Sequence, residues 1–307
     1  MTALKDMPHL LPALPGGMAF PALSPDEPDE PGVSGEPGVS GESGASGEPG
    51  ASTSRQTRLR VKVCGLTRQE DAASCARLGV HLGGFIFHAS SPRNVDPACV
   101  ADMDTGRMLR VGVFVRQSVD EVVRTMRVAR LHMAQLHGGQ DVAFCKELVA
   151  ALADILPEVL SGMSPSSGGE HADSPHDMAR GRLLRAVWPA RHATTVSFEH
   201  ELAALAPHVG HFVFDAGTSG GGHGATLPWD ALEGLSCPRP WLLAGGLGPD
   251  NVERAVRACH PWGVDLNSGV ESAPGIKDMQ RIENALVALA ACGDASGPEA
   301  RIGDARS

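Results

Sequence analysis

The chain has 307 residues, 42% of them hydrophobic, with a formal net charge of −10 and seven cysteines. No Lys/Arg cluster predicts nucleic-acid binding, no apolar run reaches the roughly 18 residues of a membrane span, and the N-terminus lacks the basic-then-apolar pattern of a secretory signal. Because the cysteines are odd in number and lack CxxC or zinc-type spacing, we expect reduced thiols in a cytoplasmic protein without a disulfide framework.

Residues 1–58 are rich in Pro, Gly, Ser and Glu and contain few residues that could build a core. We therefore predict a disordered N-terminal extension. A glycine stands at every third position from Gly32 to Gly50, which is the collagen period. The run is short and has few prolines, so it favours a flexible acidic tail over a triple helix. Residues 294–307 are predicted to be a second disordered tail.

Apolar β-type runs alternate with helical stretches from Leu59 onward. The predicted strands cover about 60–64, 82–87, 110–115, 132–136, 183–188, 211–215, 241–245 and 263–266, and the predicted helices lie near 68–79, 96–104, 118–129, 140–153, 199–206, 228–234, 249–258 and 275–291. Eight such pairs within residues 59–293 match the count and size of a single (β/α)8 barrel. A doubly wound open sheet is the alternative, although it usually has fewer strands.

Residues 157–182 interrupt this alternation between the fourth helix and the fifth strand. The segment is rich in Ser, Gly and His, and a segment of this length without periodicity is functional or disordered. We predict a flexible insertion on the N-terminal face of the barrel, where stability or interaction roles are typical. The metal-ligand types His171, Asp173, His176 and Asp177 share this segment without a partner elsewhere, so no metal is expected.

Cys64 ends the first predicted strand, and Gly65 and Thr67 then lead into a helix that begins near Arg68. In a parallel barrel this position is the C-terminal mouth, where active sites lie. A buried structural thiol is the alternative. Lys62 is expected on the same side of the strand as Cys64, where it either favours the thiolate or packs below the site.

Other polar residues follow the later strands. Arg93 follows strand 2 and has the geometry to clamp a carboxylate or a phosphate, and His137 follows strand 4. Asp215 ends strand 6 and is followed by glycines instead of a helix start, which favours a catalytic acid over a helix cap.

Glycine-rich loops follow the last two strands. Gly245 and Gly246 come after strand 7, and Asp265, Ser268 and Gly269 end strand 8 or follow it. Exposed backbone N–H groups at these two loops form the usual phosphate site of such barrels. The pair of loops therefore predicts a small phosphorylated substrate.

The chain resembles the phosphoribosylanthranilate isomerases of tryptophan biosynthesis over roughly residues 59–291. The matching segments, in the family's order, are VKVCGLTRQEDA, GGFIFHASSPRNV, VGVFV, AQLHGGQD, FVFDAG, LLAGGLGPDNV and GVDLNSGVESAPGIKD. The resemblance implies a single barrel, monomeric or homodimeric, that uses neither cofactor nor metal. It also implies an Amadori rearrangement of N-(5-phosphoribosyl)anthranilate, the third step from chorismate to tryptophan.

The resemblance further implies roles for individual residues. The family's general base falls on Cys64, its general acid on Asp215 and its anthranilate-carboxylate arginine on Arg93. Its phosphate loops fall on Gly245, Gly246, Ser268 and Gly269. We expect His137 and Asp265 to bind substrate as well. These roles suit the chemistry, since ring opening needs an acid and removal of the C2 proton needs a base.

The chain departs from the family pattern in the loop after strand 6, which usually reads GGTGxxFDW. Here His223 replaces the Thr or Ser, and Leu227 and Pro228 replace the Phe-Asp pair. The glycines that flank His223 preserve backbone contacts, but a hydroxyl contact is not expected. The 1–58 tail and the 157–182 segment have no family counterpart.

Three other functions are weighed against the isomerase. A metal-dependent pentose-phosphate epimerase needs paired His and Asp ligands at strand ends, and His137 has no such partner in register. Indole-glycerol-phosphate synthase needs a catalytic Lys and Glu pair, where this chain offers Cys64 and Asp215. A catalytically silent barrel that acts as a binding module is suggested by the altered loop, but the presence of Cys64, Asp215 and Arg93 together argues against it.

Overall fold

Eight parallel strands close into a barrel in chain order. The computed structural model describes residues 59–160, 174–215, 229–232 and 234–293. The barrel strands are β1 (Arg60–Val63), β2 (Leu82–Ile86), β3 (Leu109–Phe114), β4 (Met133–Leu136), β5 (Leu183–Val187), β6 (His211–Phe214), β7 (Trp241–Leu243) and β8 (Gly263–Leu266). Because β8 pairs with β1, the sheet has no open edge. The predicted (β/α)8 barrel is confirmed, and the open doubly wound sheet is wrong.

Helices connect the strands on the outside of this barrel. They are α1 (Gln69–Arg77), α2 (Pro97–Asp102), α3 (Val119–Val128), α4 (Val142–Leu160), α5 (Pro175–Gly181), α6 (Thr195–Leu205), α7 (Val252–Cys259) and α8 (Met279–Gly293). Helix α3 shows how local sequence sets a boundary: the Ser118 hydroxyl accepts from the Glu121 N–H, and the Glu121 carboxylate accepts from the Ser118 N–H. Among the described residues, none of the helices is long and apolar enough to cross a membrane.

Two predicted helices are wrong in whole or in part. The helix predicted over 228–234 is only a four-residue 3₁₀ turn, Trp229–Leu232, and Gly234 follows it with φ of 75°, a conformation that stops a helix. The helix predicted from residue 275 begins at Met279 instead. Before it lies a short antiparallel hairpin of β9 (Glu271–Ala273) and β10 (Ile276–Lys277), because Gly275 has φ of 81° and turns the chain back.

The interruption between β4 and β5 is shorter than the predicted 157–182. Helix α4 continues to Leu160, and α5 begins after Ser174, whose side chain accepts from the Asp177 N–H, with Pro175 in the first turn. His176 and Asp177, considered above as metal ligands, lie on this helix. The predictions for residues 1–58, for 294–307, for His171 and Asp173 and for the loop at His223 fall outside the described residues.

The interior of the barrel is mostly apolar and contains one polar patch on the strands. Phe85, Phe114, Phe212 and Phe214 are fully buried in the sheet, and burial of each such side chain contributes about 1.5–3 kcal/mol. Lys62, Gln135 and Asp265 are also buried on the strands. Polar and ionised groups are costly to bury unless they are paired. Their burial here therefore indicates a role other than packing in the core.

Candidate active site

Cys64 is buried at the C-terminal end of β1. Its N–H donates to the carbonyl of Leu266 at 2.8 Å, which continues the pairing of β1 with β8 by one residue. Gly84 on β2 leaves room for the thiol, since a Cβ at Gly84 would lie 2.8 Å from Cys64 Sγ and 3.1 Å from Lys62 Nζ. The thiol and the ammonium group therefore occupy neighbouring space above Gly84.

Lys62 forms a buried ion pair with Asp265. Its Nζ donates to Asp265 Oδ2 at 2.8 Å, and both side chains are almost fully buried. Asp265 Oδ1 has no hydrogen-bond partner among the described residues, so an acceptor oxygen remains available at the mouth. The structure places Lys62 beside the thiol and against Asp265 at the same time. Lys62 is therefore near enough to favour the thiolate and is also packed in the core, which were the two alternatives left open by the sequence.

The charges around Cys64 act on its thiol in opposite directions. Burial raises the pKa of Cys64, and the positive charges of Lys62 and Lys277 oppose this rise while Asp265 adds to it. Burial alone would lower the pKa of Lys62, but Asp265 and Cys64 raise it above its usual value. Lys62 is therefore cationic at neutral pH, and its charge favours the thiolate more than that of Lys277 does.

Asp215 follows β6 and contacts His137, which follows β4. The Asp215 N–H donates to the Val187 carbonyl at 3.0 Å, and its Oδ2 lies 3.3 Å from His137 Nε2. On the other side of the ring, Gln135 Nε2 lies 3.1 Å from His137 Nδ1. Because an amide nitrogen only donates, this contact assigns Nδ1 as acceptor and places the Nε2 proton towards Asp215.

His137 therefore contacts the predicted acid, a role that sequence reasoning missed when it counted the residue among those that bind substrate. Strand alternation relates His137 only to Gln135, two positions earlier, and no local signal relates it to Asp215. The ring of Trp188, which follows β5, lies edge-on to His137 with centroids 5.5 Å apart. Asp265 also feels these groups: burial raises its pKa, Lys62 and His137 lower it, and Asp215 raises it.

Arg93 lies at the mouth but is bound to a protein carboxylate that the sequence did not suggest. Its Nε donates to Glu271 Oε1 at 2.9 Å and its Nη2 to Glu271 Oε2 at 2.6 Å. Lys277 Nζ donates to the same Oε1 at 2.7 Å. Lys277 was missed because it lies in a stretch predicted to be helical from residue 275, and Glu271, which follows strand 8, was given no role.

The loops after β7 and β8 pack backbone against backbone. A Cβ at Gly269 would lie 2.1 Å from the Leu247 carbonyl oxygen, so only glycine fits there. Asn251 holds the first loop, since its side chain accepts from the Gly248 N–H at 2.9 Å and donates to the Gly246 carbonyl at 3.0 Å. Gly245 and Gly246 thus follow β7, Ser268 and Gly269 follow β8, and the two predicted phosphate loops are adjacent.

These positions bring the predicted residues to one end of the barrel. All but one of them follow a strand at its carboxyl end, namely Cys64, Arg93, His137, Asp215, Gly245, Gly246, Ser268 and Gly269. The exception is Asp265, which lies within β8. Within the described ranges, no group of three His, Cys, Asp or Glu residues is arranged to hold a metal ion. The arrangement offers a buried thiol beside a lysine, a carboxylate beside a histidine and a pair of glycine loops.

Comparison with known proteins gives one family. The family model described as N-(5'phosphoribosyl)anthranilate (PRA) isomerase matches residues 61–156 and 171–288. The match resumes at residue 171, so part of the segment predicted to lack a family counterpart has one. The N-(5'-phosphoribosyl)anthranilate isomerase of Maridesulfovibrio salexigens is 40% identical over 75% of this chain and 98% of its own length. That of Desulfovibrio desulfuricans is 44% identical over 75% of this chain and 95% of its own length.

Solved structures agree with this relationship. Phosphoribosyl anthranilate isomerase from Thermus thermophilus is 28% identical, covers 76% of this chain and 99% of its own, and superimposes with a TM-score of 0.56. A phosphoribosyl anthranilate isomerase in complex with reduced 1-(o-carboxyphenylamino)-1-deoxyribulose 5-phosphate is 24% identical over 76% of this chain and 99% of its own, with a TM-score of 0.58, and shares the fold.

Proposed function

This chain belongs to the N-(5'-phosphoribosyl)anthranilate isomerase family, and we propose that it performs the family's reaction with Cys64 as general base and Asp215 as general acid. The reaction converts N-(5-phosphoribosyl)anthranilate into 1-(2-carboxyphenylamino)-1-deoxyribulose 5-phosphate in tryptophan biosynthesis. The observation that carries the assignment is the position of the two side chains, which follow β1 and β6 at the same end of one barrel.

Asp215 acts first in this proposal. Its proton goes to the furanose ring oxygen, the bond from that oxygen to C1 breaks, and the nitrogen lone pair forms a C1–N double bond. The product of this step is an open-chain iminium ion and a carboxylate on Asp215. His137 orients Asp215 through the contact of 3.3 Å from Nε2 to Oδ2, and a fixed orientation is worth much of the barrier in proton transfer.

Cys64 acts second. Its thiolate removes the C2 proton, the freed electron pair forms a C1–C2 double bond, and the nitrogen recovers its lone pair as an enolamine. Loss of the proton from the C2 hydroxyl and protonation of C1 then give the ketone. Lys62 supports the thiolate by its positive charge, which opposes the rise that burial causes in the pKa of Cys64.

The remaining residues bind the two ends of the substrate. The adjacent glycine loops with Gly245, Gly246, Ser268 and Gly269 receive the phosphate through backbone N–H groups. Arg93 receives the anthranilate carboxylate, and Asp265 Oδ1, which has no hydrogen-bond partner among the described residues, accepts from a sugar hydroxyl.

The test is turnover of freshly generated N-(5-phosphoribosyl)anthranilate by the purified full-length protein. Loss of anthranilate-type fluorescence at about 1 per second or faster is expected, since this is an ordinary rate for an enzyme. The rival function is a silent barrel that only binds, suggested by the replacement of a hydroxyl residue with His223. Binding of the reduced product analogue without turnover of substrate would support that rival and overturn the isomerase assignment.

We also propose a cytoplasmic location and a monomeric or homodimeric state. The seven cysteines, all of them in the described ranges, form no disulfide, which supports a reducing compartment. Size-exclusion chromatography with light scattering on the full chain measures the oligomeric state directly.

A further inference from the structure

We propose that Glu271 and Lys277 are positioning residues that hold Arg93 in the orientation that receives the substrate carboxylate. The inference rests on the proposed function, because it explains how the same site selects a carboxylated aromatic amine. Arg93 belongs to the loop after β2, whereas Glu271 and Lys277 belong to the β9–β10 hairpin after β8. These two loops are far apart in the chain and meet at the mouth of the barrel.

The carboxylate of Glu271 accepts hydrogen bonds from two of the three nitrogens of the Arg93 guanidinium. Nε lies 2.9 Å from Oε1, and Nη2 lies 2.6 Å from Oε2. Such a two-pronged contact fixes the plane of the guanidinium as well as its position. The third nitrogen, Nη1, makes no hydrogen bond within the part of the chain that the structure describes, so it remains to donate to a ligand.

Glu271 is itself held from the other side. Lys277 Nζ donates to Oε1 at 2.7 Å and the Gly275 N–H donates to the same oxygen at 3.1 Å. The hairpin explains this proximity, because β9 and β10 pair with Lys277 directly opposite Glu271. Lys277 is fully buried and also reaches Asn267 Oδ1 at 3.1 Å. The carboxylate has little freedom to follow a moving arginine.

The stem of Arg93 passes directly beside the proposed base. A Cβ at Gly65, the residue after Cys64, would lie 2.6 Å from Arg93 Cδ and 2.9 Å from Asn267 Oδ1. The arginine stem and the Asn267 side chain therefore occupy the space that a larger residue would fill. This contact places the guanidinium within the mouth, next to the backbone that carries the thiol.

The charges of the cluster leave one positive charge unmatched. Burial raises the pKa of Glu271, but its hydrogen bonds and ion pairs with Arg93 and Lys277 bring it below the usual value, so this carboxylate is ionised at neutral pH. Burial lowers the pKa of Lys277, and its contact with Glu271 opposes this. With Lys277 protonated, two cations and one anion together carry a net charge of one. A single carboxylate on the ligand would neutralise it.

Positioning and simple charge balance predict opposite results for Glu271→Gln. If Glu271 only neutralised its neighbours, its removal would leave two unmatched cations and strengthen the binding of an anionic group. If it orients Arg93, Glu271→Gln leaves one acceptor oxygen where there were two. The two-pronged contact with Nε and Nη2 is then lost, the guanidinium is free to rotate, and the binding of the carboxylate weakens. The sign of the effect therefore decides between the two roles.

The experiment measures dissociation constants of two probes with the full-length protein. One is the reduced product analogue, which carries the carboxylate, and the other is its anilino counterpart, which lacks the carboxyl group. In Glu271→Gln we expect the dissociation constant of the carboxylated probe to rise about 10-fold or more, with a change below about twofold for the anilino probe. With substrate, KM should rise while kcat changes little, because Arg93 touches no reacting atom.

Two variants complete the test. Glu253→Gln makes the same chemical change in the exposed ion pair of Glu253 with Arg257, 2.9 Å long, and should leave both probes unaffected. Lys277→Met should weaken the carboxylated probe selectively, since it frees Glu271 on one side. Should Glu271→Gln fail to bind either probe and lose its folded circular dichroism spectrum, Glu271→Asp replaces it, because it keeps the charge but withdraws the carboxylate from Arg93.

Unchanged or tighter binding of the carboxylated probe by Glu271→Gln, or by Glu271→Asp where that is used, would overturn the inference. An equal loss for both probes would also overturn it, because a general distortion of the mouth would then explain the result. Neither outcome depends on the proposed function, which fails separately if the wild-type protein does not turn over substrate.

Discussion

Lys62 and Asp265 lie directly opposite each other on β1 and β8, the two strands that close the barrel, and their side chains form an ion pair of 2.8 Å. The closure of the sheet thus creates a buried cation immediately next to Cys64. A charge pair in this position costs desolvation energy that an apolar pair would not. Its position next to the proposed base gives it a catalytic use, because the cation of Lys62 favours the thiolate of Cys64.

Breaking this pair should cost stability. In Lys62→Met the carboxylate of Asp265 is left buried without its cation, and we expect a loss of about 3–5 kcal/mol in the free energy of unfolding. The double variant Lys62→Met with Asp265→Leu should recover most of that loss, because an apolar pair replaces the ion pair. Urea unfolding at neutral pH measures both, and equal losses in the single and double variants would contradict the prediction.

Ionisation of Cys64 should be visible in the pH dependence of activity. Because the pKa of Cys64 lies above its usual value, the thiolate fraction is small at neutral pH and grows as pH increases. Because Asp215 must be protonated while Cys64 is ionised, loss of the acid form cancels this gain in the wild-type protein. In Asp215→Asn that opposing ionisation is gone, and we expect its residual kcat/KM to increase through and beyond the usual thiol range near about 8.5. Lys62→Met should move this limb to higher pH, since the group that opposes the rise in pKa is gone.

The same thiol can be followed without catalysis. Iodoacetamide labels thiolates, so the labelling rate of Cys64, read by peptide mass spectrometry, should increase over the same pH interval as the residual kcat/KM of Asp215→Asn. The exposed Cys99 serves as an internal reference in each digest. In Asp215→Asn, an activity profile that is flat while Cys64 labelling rises would show that the thiolate is not the base.

His137→Ala should lower kcat more than it raises KM. The variant removes the group that lies 3.3 Å from Asp215 Oδ2, so the acid loses its orientation, and we expect kcat to fall about 10- to 100-fold. His192→Ala is the matched control, because His192 likewise pairs with a carboxylate, that of Glu201 on α6, at 2.7 Å. A rise in KM with unchanged kcat would instead support the substrate contact predicted from the sequence.

Gly84→Ala should damage the site, whereas its neighbour tolerates the same change. A methyl group at Gly84 would lie 2.8 Å from Cys64 Sγ and 3.0 Å from the Cys64 Cα, and that backbone atom cannot retreat. We expect kcat to fall at least about 10-fold and stability by about 1–3 kcal/mol. At Gly83 the methyl meets the flexible end of Met108, 2.7 Å from Cε, so Gly83→Ala should keep kcat. Similar kcat values in both variants would contradict the proposed crowding at Cys64.

Local patterns in the sequence predicted the barrel and the positions of its polar ends. Strand runs that end in Cys64 and Asp215 follow from alternation and from the residues that stop each strand, so they are visible without a structure. The same reasoning failed where a turn is set by one backbone conformation. Gly275 reverses the chain where a helix was predicted, and Ser174 with Pro175 starts a helix inside a segment whose composition suggested disorder.

Contacts between distant segments were beyond such reasoning. Arg93 and Glu271 are separated by 178 positions, and no local period relates them. The sequence placed His137 after a strand and therefore among the residues that bind substrate. It did not show that His137 contacts Asp215. Lys62 was placed correctly beside Cys64 by strand alternation, whereas its ion pair with Asp265 depends on the register of barrel closure, which the sequence does not encode locally.

The most direct test of the central claim is single-turnover decay of substrate fluorescence with wild-type protein, Cys64→Ser and Asp215→Asn at equal enzyme excess. Each variant keeps the shape of the side chain, so binding should persist while the rate of the chemical step falls by about two to four orders of magnitude. Decay at the wild-type rate in Cys64→Ser would contradict the thiol as general base, and decay at the wild-type rate in Asp215→Asn would contradict the carboxylate as general acid.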